Sequence, residues 1–115
     1  MEYRILGKTG LKISRLGFGG IPIQRVDAPK TKELILLARE LGINYIDTAR
    51  AYSDSEYKVG LAFEGMREKV YIATKSGAQT GEAMKADLEK SLATLKTDYI
   101  DIYQFHNPAF CPKPG

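Results

Sequence analysis

Four short apolar runs, separated by stretches of helical period, constrain this chain more than any other feature. The runs are Arg15 to Gly20, Asn44 to Asp47, Val70 to Thr74 and Tyr99 to Phe105, each with the length and residue types of a strand. Between the first two, Leu34, Leu37, Ala38 and Leu41 recur at spacings of three and four. That predicts a helix from about Pro29, with Pro in its first turn and Gly42 as its stop. A second helix is expected from about Ser55 to Phe63, ending near Gly65. A third starts around Thr80, carries Met84, Leu88, Leu92 and Leu95 on one core-facing stripe, and closes at Lys96-Thr97. Strict alternation of strand and helix implies parallel strands joined by right-handed crossovers.

In front of this series, Tyr3 to Leu6 and Leu11 to Ser14 alternate around Gly7-Lys8-Thr9-Gly10, which reads as a small hairpin. After His106 the text changes. Pro108, Pro112 and Pro114 exclude a fourth helix, so the sequence stops in a loop. Four parallel strands fit a small doubly wound domain or half of a (β/α)8 TIM barrel, which needs ~250 residues. Two features favour the barrel: the chain halts where a fourth helix would begin, and ionisable residues end several neighbouring strands. The expected fold class is therefore α/β, the N-terminal half of a barrel. Residues 1–115 form one partial barrel domain, with the hairpin at 1–14, four strands over 15–106 and a loop at 107–115.

The 115 residues are 43% apolar and 27% charged, ordinary for one small globular domain. A net charge of +3 without like-charge runs speaks against nucleic acid. No apolar run of ~18 residues and no basic-then-apolar leader is present, so neither a membrane span nor export is expected, and the default location is cytoplasmic. Single Cys111 and single His106 exclude an internal disulfide and leave too few ligands for a structural zinc site.

The chemistry is expected where strands end. Asp47 closes the second strand, Lys75 follows the third, and His106 follows the fourth; Tyr52 sits in the loop after Asp47. Parallel α/β enzymes keep their reactive groups at the C-terminal ends of strands. Side chains alternate faces along a strand, so inward-pointing Asp47 and Lys75 would stand on adjacent strands about 5 Å apart. An unpaired ammonium there would cost several kcal/mol, which the carboxylate neighbour offsets. A phenol beside that ammonium has its pKa lowered from ~10 and becomes a better proton donor. His106 can donate a hydrogen bond to an incoming carbonyl oxygen. These groups suit carbonyl reduction, with the hydride supplied by a cofactor. Gly17-Phe18-Gly19-Gly20 is not a dinucleotide fingerprint, because Pro22 occupies the third glycine position; it reads as a tight strand exit where backbone approaches a ligand, or as a plain turn. Asp101 is expected to face away from His106 and to pair on the helix side. Cys111 is either incidental or part of a substrate pocket.

Several blocks together resemble the aldo-keto reductases. They are Arg15-Leu16-Gly17-Phe18-Gly19-Gly20; Asp47-Thr48-Ala49-x-x-Tyr52-x-x-Ser55-Glu56 with Val59-Gly60; Val70 to Lys75; and Leu88-x-x-Ser91-Leu92-x-x-Leu95-x-x-Asp98 to Tyr103, ending at His106. The resemblance covers nearly the whole chain in order. It implies a (β/α)8 barrel with a hairpin over its bottom, a nicotinamide cofactor (NADPH, or NADH), and a small aldehyde or ketone as substrate. It also implies a catalytic tetrad at Asp47, Tyr52, Lys75 and His106, with Tyr52 the general acid, Lys75 and Asp47 the pair that tunes it, and His106 the substrate-orienting group. Cofactor contacts fall on Gly20, Ile21 and Asp47, and no metal is implied within the chain.

Two departures stand out. Gly20-Ile21 replaces a common Thr-Trp, and Ser53 replaces the glycine usual after the tyrosine. The stretch Gly20 to Arg25 resembles a prokaryotic subgroup that often carries a C-terminal iron–sulfur domain, which here would lie beyond Gly115. Other uses of the fold are a nicotinamide-binding regulatory subunit without turnover and a Schiff-base enzyme using Lys75. The isolated chain is expected to be incomplete and inactive, because the family's grip on the adenosine phosphate lies in the second half of the barrel.

Overall fold

The computed structural model describes residues 1–109. Strands β1 (Tyr3–Ile5) and β2 (Lys12–Ser14) form the expected antiparallel hairpin, with Tyr3 opposite Ser14. Gly7 and Gly10 turn it with φ of 52° and 77°, a region glycine enters without steric cost. The hairpin is tied to the body by Asn44, whose Oδ1 accepts from the Ser14 amide at 2.7 Å while its Nδ2 donates to Lys12 O at 3.0 Å.

The main sheet is parallel throughout. It contains β3 (Phe18–Gly19), β4 (Tyr45–Asp47), β5 (Tyr71–Ser76) and β6 (Ile102–Phe105), in that spatial order. A 3-10 turn over Pro22–Arg25 leads from β3 into α1 (Ala28–Glu40); α2 (Ser55–Ala62) and α3 (Gly81–Leu95) supply the other crossovers. The order matches the half-barrel reading.

The helices begin and end on recognisable signals. Asp27 caps α1 by accepting from the Lys30 amide at 2.8 Å, and Thr80 caps α3 by accepting from the Ala83 amide at 3.1 Å. Gly42 leaves α1 with φ of 95°. Lys96 closes α3 in the left-handed conformation, φ 56°, although it is not glycine.

The core lies between the sheet and the helices. Ile46 and Ile72 meet Ile23, Ile35, Val59, Ala62, Phe63, Val70 and Leu95 there. Period-two alternation sends Ile46, Ile72, Thr74 and Ser76 to the helix side and leaves Tyr45, Asp47 and Lys75 half-buried on the other face. Helices α2 and α3 cross at Gly60, where a Cβ would stand 2.7 Å from Thr94 O and 2.9 Å from the Leu95 backbone. Only a residue without a side chain fits that crossing.

Some expectations are corrected. The stripe Leu34, Leu37, Ala38 and Leu41 is not the buried face of α1: Thr31, Ile35 and Ala38 are buried, and Leu41 is 64% exposed. Residues 34–38 are apolar almost all round, so period alone could not choose the face that meets the sheet. On α3, Leu95 is buried while Met84, Leu88 and Leu92 are only half-buried. The first core strand is two residues rather than six. Arg15 is taken by the hairpin, its amide donating to Glu2 O and its guanidinium pairing with the Glu2 carboxylate. The fourth strand opens at Ile102 rather than Tyr99, because the residues before it build a polar hub. There Arg67 Nη2 lies 2.7 Å from Asp101 Oδ2, which also accepts from the Ile72 amide at 2.9 Å. Arg67 also stacks on the Tyr99 ring at 4.0 Å and donates to Tyr99 O and Val70 O. Asp101 thus pairs away from His106, as its parity implied.

Candidate active site

Asp47 and Lys75 come from neighbouring strands but not from opposite positions. The residue opposite Asp47 is Ala73, and Lys75 stands opposite Gln104 of β6. The lysine chain reaches back so that Nζ donates to Asp47 Oδ2 at 2.8 Å and to Thr48 O at 2.8 Å. The side chains are 15% and 35% exposed, so this ammonium is paired in a half-dry site.

Tyr52 is delivered by the loop 48–54, which is fastened along its length. The Thr48 amide donates to Ala73 O, the Arg50 amide to Lys75 O, and the Ser55 amide to Tyr52 O, at 2.8 to 3.0 Å. This hangs the loop on the end of β5. Lys75 Nζ lies 5.0 Å from the Tyr52 ring centroid, within reach of a cation–π attraction. His106 extends β6 by one hydrogen bond, its amide donating to Ser76 O at 2.9 Å. Its imidazole meets Tyr52 edge to face, with centroids 5.5 Å apart and planes at 88°. The three residues expected at the strand ends and the loop tyrosine Tyr52 are therefore gathered at one place. Beneath them on the same face, burial pushes the Tyr45 phenol up, and the Asp47 charge adds to the shift.

Gly20 is buried, and its amide donates to Asp47 O at 2.7 Å. A Cβ there would stand 2.6 Å from Ser55 Oγ and 2.8 Å from Asp47 O, so the close approach that requires glycine is to the protein itself. Ile21 is exposed at the same end of the sheet. A cavity of about 80 Å³ opens beside the imidazole, lined by Ser76, Gly77, Gln79, Phe105, His106 and Asn107 among others. Cys111 and the rest of 110–115 lie outside the described residues.

Sequence reasoning assigned no role to the groups that hold this loop. Ser53, with φ of 42°, donates to Gln24 Oε1 at 2.9 Å. Lys58, buried on α2, donates to Ile23 O at 2.8 Å and pairs with Asp54 at 3.0 Å, so the 3-10 turn and the Tyr52 loop are clasped together. Glu56, also buried, accepts from Thr74 Oγ1 at 2.8 Å and faces Arg50 at 3.2 Å.

A parallel β/α sheet with Asp, Tyr, Lys and His brought together at the C-terminal ends of its strands has the layout of one half of a (β/α)8 barrel. The sequence model of the Aldo/keto reductase family matches residues 15–111, and the chain belongs to that family. It is 38% identical over 122 residues to the uncharacterized oxidoreductase YqkF of Bacillus subtilis, covering 92% of this chain and 39% of YqkF. It is 34% identical over 125 residues to L-galactose dehydrogenase of Arabidopsis thaliana, covering 96% of this chain and 39% of that enzyme. Among solved structures it superposes on an aldo-keto reductase from Bacillus halodurans in its holo form with a TM-score of 0.83 and 37% identity, over 92% of this chain and 40% of that one. The chain thus spans about two-fifths of the length of these relatives. No helix among the described residues is long and apolar enough to cross a membrane.

Proposed function

We propose that this chain carries the catalytic centre of an NAD(P)H-dependent carbonyl reductase, whose barrel is completed by further β/α units. The observation that carries the reading is Lys75, held by Asp47 and set against the ring of Tyr52, which His106 also meets edge to face. Tyr52 is the general acid, giving its phenolic proton to the carbonyl oxygen of a small aldehyde or ketone. The Lys75 ammonium stabilises the phenolate left behind, and Asp47 keeps that ammonium in place. His106 donates a hydrogen bond to the same carbonyl oxygen, orienting the substrate and stabilising the charge that develops on it.

A nicotinamide fits the described residues at its reactive end only. Ile21 offers an exposed apolar wall at the end of β3, next to Gly20, and the half-open carboxylate of Asp47 faces the same mouth. Ile21 and Asp47 are the proposed cofactor contacts within this chain, while Gly20, packed against Asp47 O and Ser55, shapes the strand exit behind them. When bound, the cofactor supplies the hydride. The family resemblance favours NADPH over NADH.

A Schiff-base role for Lys75 fits less well. Its nitrogen is already engaged by Asp47 Oδ2 and Thr48 O, both at 2.8 Å, rather than held open toward a substrate carbonyl. The test is Tyr52→Phe in the barrel-length protein. Carbonyl reduction should fall by well over tenfold, more than ~1.4 kcal/mol of transition-state stabilisation, while nicotinamide binding holds. A Phe variant that keeps its rate would overturn the assignment. A wild type that binds the cofactor without turnover on any carbonyl would indicate a regulatory subunit.

A further inference from the structure

We infer that Glu56 is a positioning residue, fixing the loop that delivers Tyr52 to the strand that carries Lys75. The inference rests on the reductase reading above. Glu56 is 1% exposed in the first turn of α2, on the helix side of the sheet. Its Oε2 accepts from the hydroxyl of Thr74 at 2.8 Å, and Thr74 immediately precedes Lys75 in β5. Its Oε1 lies 3.2 Å from Arg50 Nη1, an ion pair without an aligned hydrogen bond. Arg50 stands in the loop between Asp47 and Tyr52. Its amide donates to Lys75 O at 3.0 Å, and its guanidinium also reaches Thr94 Oγ1 on α3 at 3.3 Å.

One buried carboxylate therefore grips both segments that bear the proposed chemistry. A well-packed apolar residue serves stability as well as a buried ion pair does, so a carboxylate at this point is better explained by what it holds. The Glu56 carboxylate restrains Arg50 through charge and Thr74 through the hydrogen bond it accepts. Together they set the distance between the Tyr52 loop and the end of β5.

The test uses the barrel-length holoenzyme. Glu56→Gln keeps the volume and the bond from Thr74 but removes the charge facing Arg50. We expect kcat to fall by about 10- to 100-fold with KM for carbonyl and cofactor within about threefold, the pattern of a misplaced catalytic group. The 19F line of fluorotyrosine at position 52 should broaden or split. Arg50→Met should lower kcat similarly, and the double variant should lose no more than the worse single one. Thr74→Val, near-isosteric, decides the matter if Glu56→Gln does not fold: reduced kcat at constant KM supports the inference, and unchanged kcat overturns it. A folded Glu56→Gln with wild-type kcat and an unchanged 19F line overturns it too, provided Tyr52→Phe is inactive. An active Tyr52→Phe would instead overturn the reductase reading itself.

Discussion

Lys75 reaches past the residue opposite Asp47 to meet its carboxylate: Nζ lies 2.8 Å from Oδ2, although Ala73 is the register partner of Asp47. The diagonal reach holds the lysine chain along the sheet and brings its charge near the ring of Tyr52.

The two groups are therefore expected to act as a unit. Lys75→Met should cost at least about a hundredfold in kcat/KM, ~2.7 kcal/mol. Asp47→Asn should cost about tenfold, because the ammonium loses its counter-charge. The double variant should fall within about threefold of Lys75→Met alone. Steady-state kinetics on the four proteins of the cycle would measure this; losses that simply add would mean independent roles.

At the other end of the sheet, Asp101 should matter for stability and not for catalysis. It receives hydrogen bonds from Arg67 and from the Ile72 amide, and both charged side chains are 13% exposed. Asp101→Ala strands a largely buried guanidinium and an amide, and should destabilise by roughly 2–4 kcal/mol, a little under the range for fully buried pairs. Arg67→Lys should not restore the wild-type value, since an ammonium cannot serve Asp101, Tyr99 and Val70 together. Urea unfolding gives both numbers. An Asp101→Ala protein with an unchanged midpoint would contradict the hub.

Stability should decline in alkali. Burial pushes up the Tyr103 phenol, as it does that of Tyr45. Below the unfolded-state value of ~10 both states keep the proton and the contribution is complete. Above it the unfolded chain ionises first, so stability falls as pH rises through the folded-state value. Tyr103→Phe should flatten that slope while costing about 0.5–1.5 kcal/mol at neutral pH, for the lost hydrogen bond to Met84 O at 2.8 Å. Thermal melts from pH 7 to 11 test the sign.

The 115-residue chain on its own should not turn over a carbonyl. Strands β3 and β6 are open parallel edges of the described sheet, so the face that carries Asp47, Lys75 and His106 lacks the neighbouring strands that would close it into a barrel. Gel filtration with a fluorescence titration of NADPH checks this. A monomer that binds NADPH at micromolar levels and reduces an aldehyde would refute it.

Much of this was legible because strand ends are marked twice, once by apolar period and once by the ionisable residue that follows. Asp47, Lys75 and His106 needed no more than that. The face of α1 was not legible, since Leu34, Ile35, Leu36, Leu37 and Ala38 form a nearly continuous apolar band, and only packing on the sheet selects Ile35 and Ala38. Strand β3 was over-read because the pull of the hairpin on Arg15 is a long-range contact with Glu2. Lys58 carried no sequence signal, because its ammonium is held by Ile23 O and Asp54, partners that only the fold brings beside it.

Gly60 stands at the crossing of α2 and α3. Thr94 packs its carbonyl against that glycine while its hydroxyl oxygen accepts from Arg50, so one residue joins the helix crossing to the Tyr52 loop. A single methyl added at Gly60 would wedge α2 from α3, and the displacement would travel through Thr94 and Arg50 toward Tyr52. Gly60 thus matters by the room it leaves: a side chain there would disturb the helix crossing on which the Arg50–Thr94 contact depends.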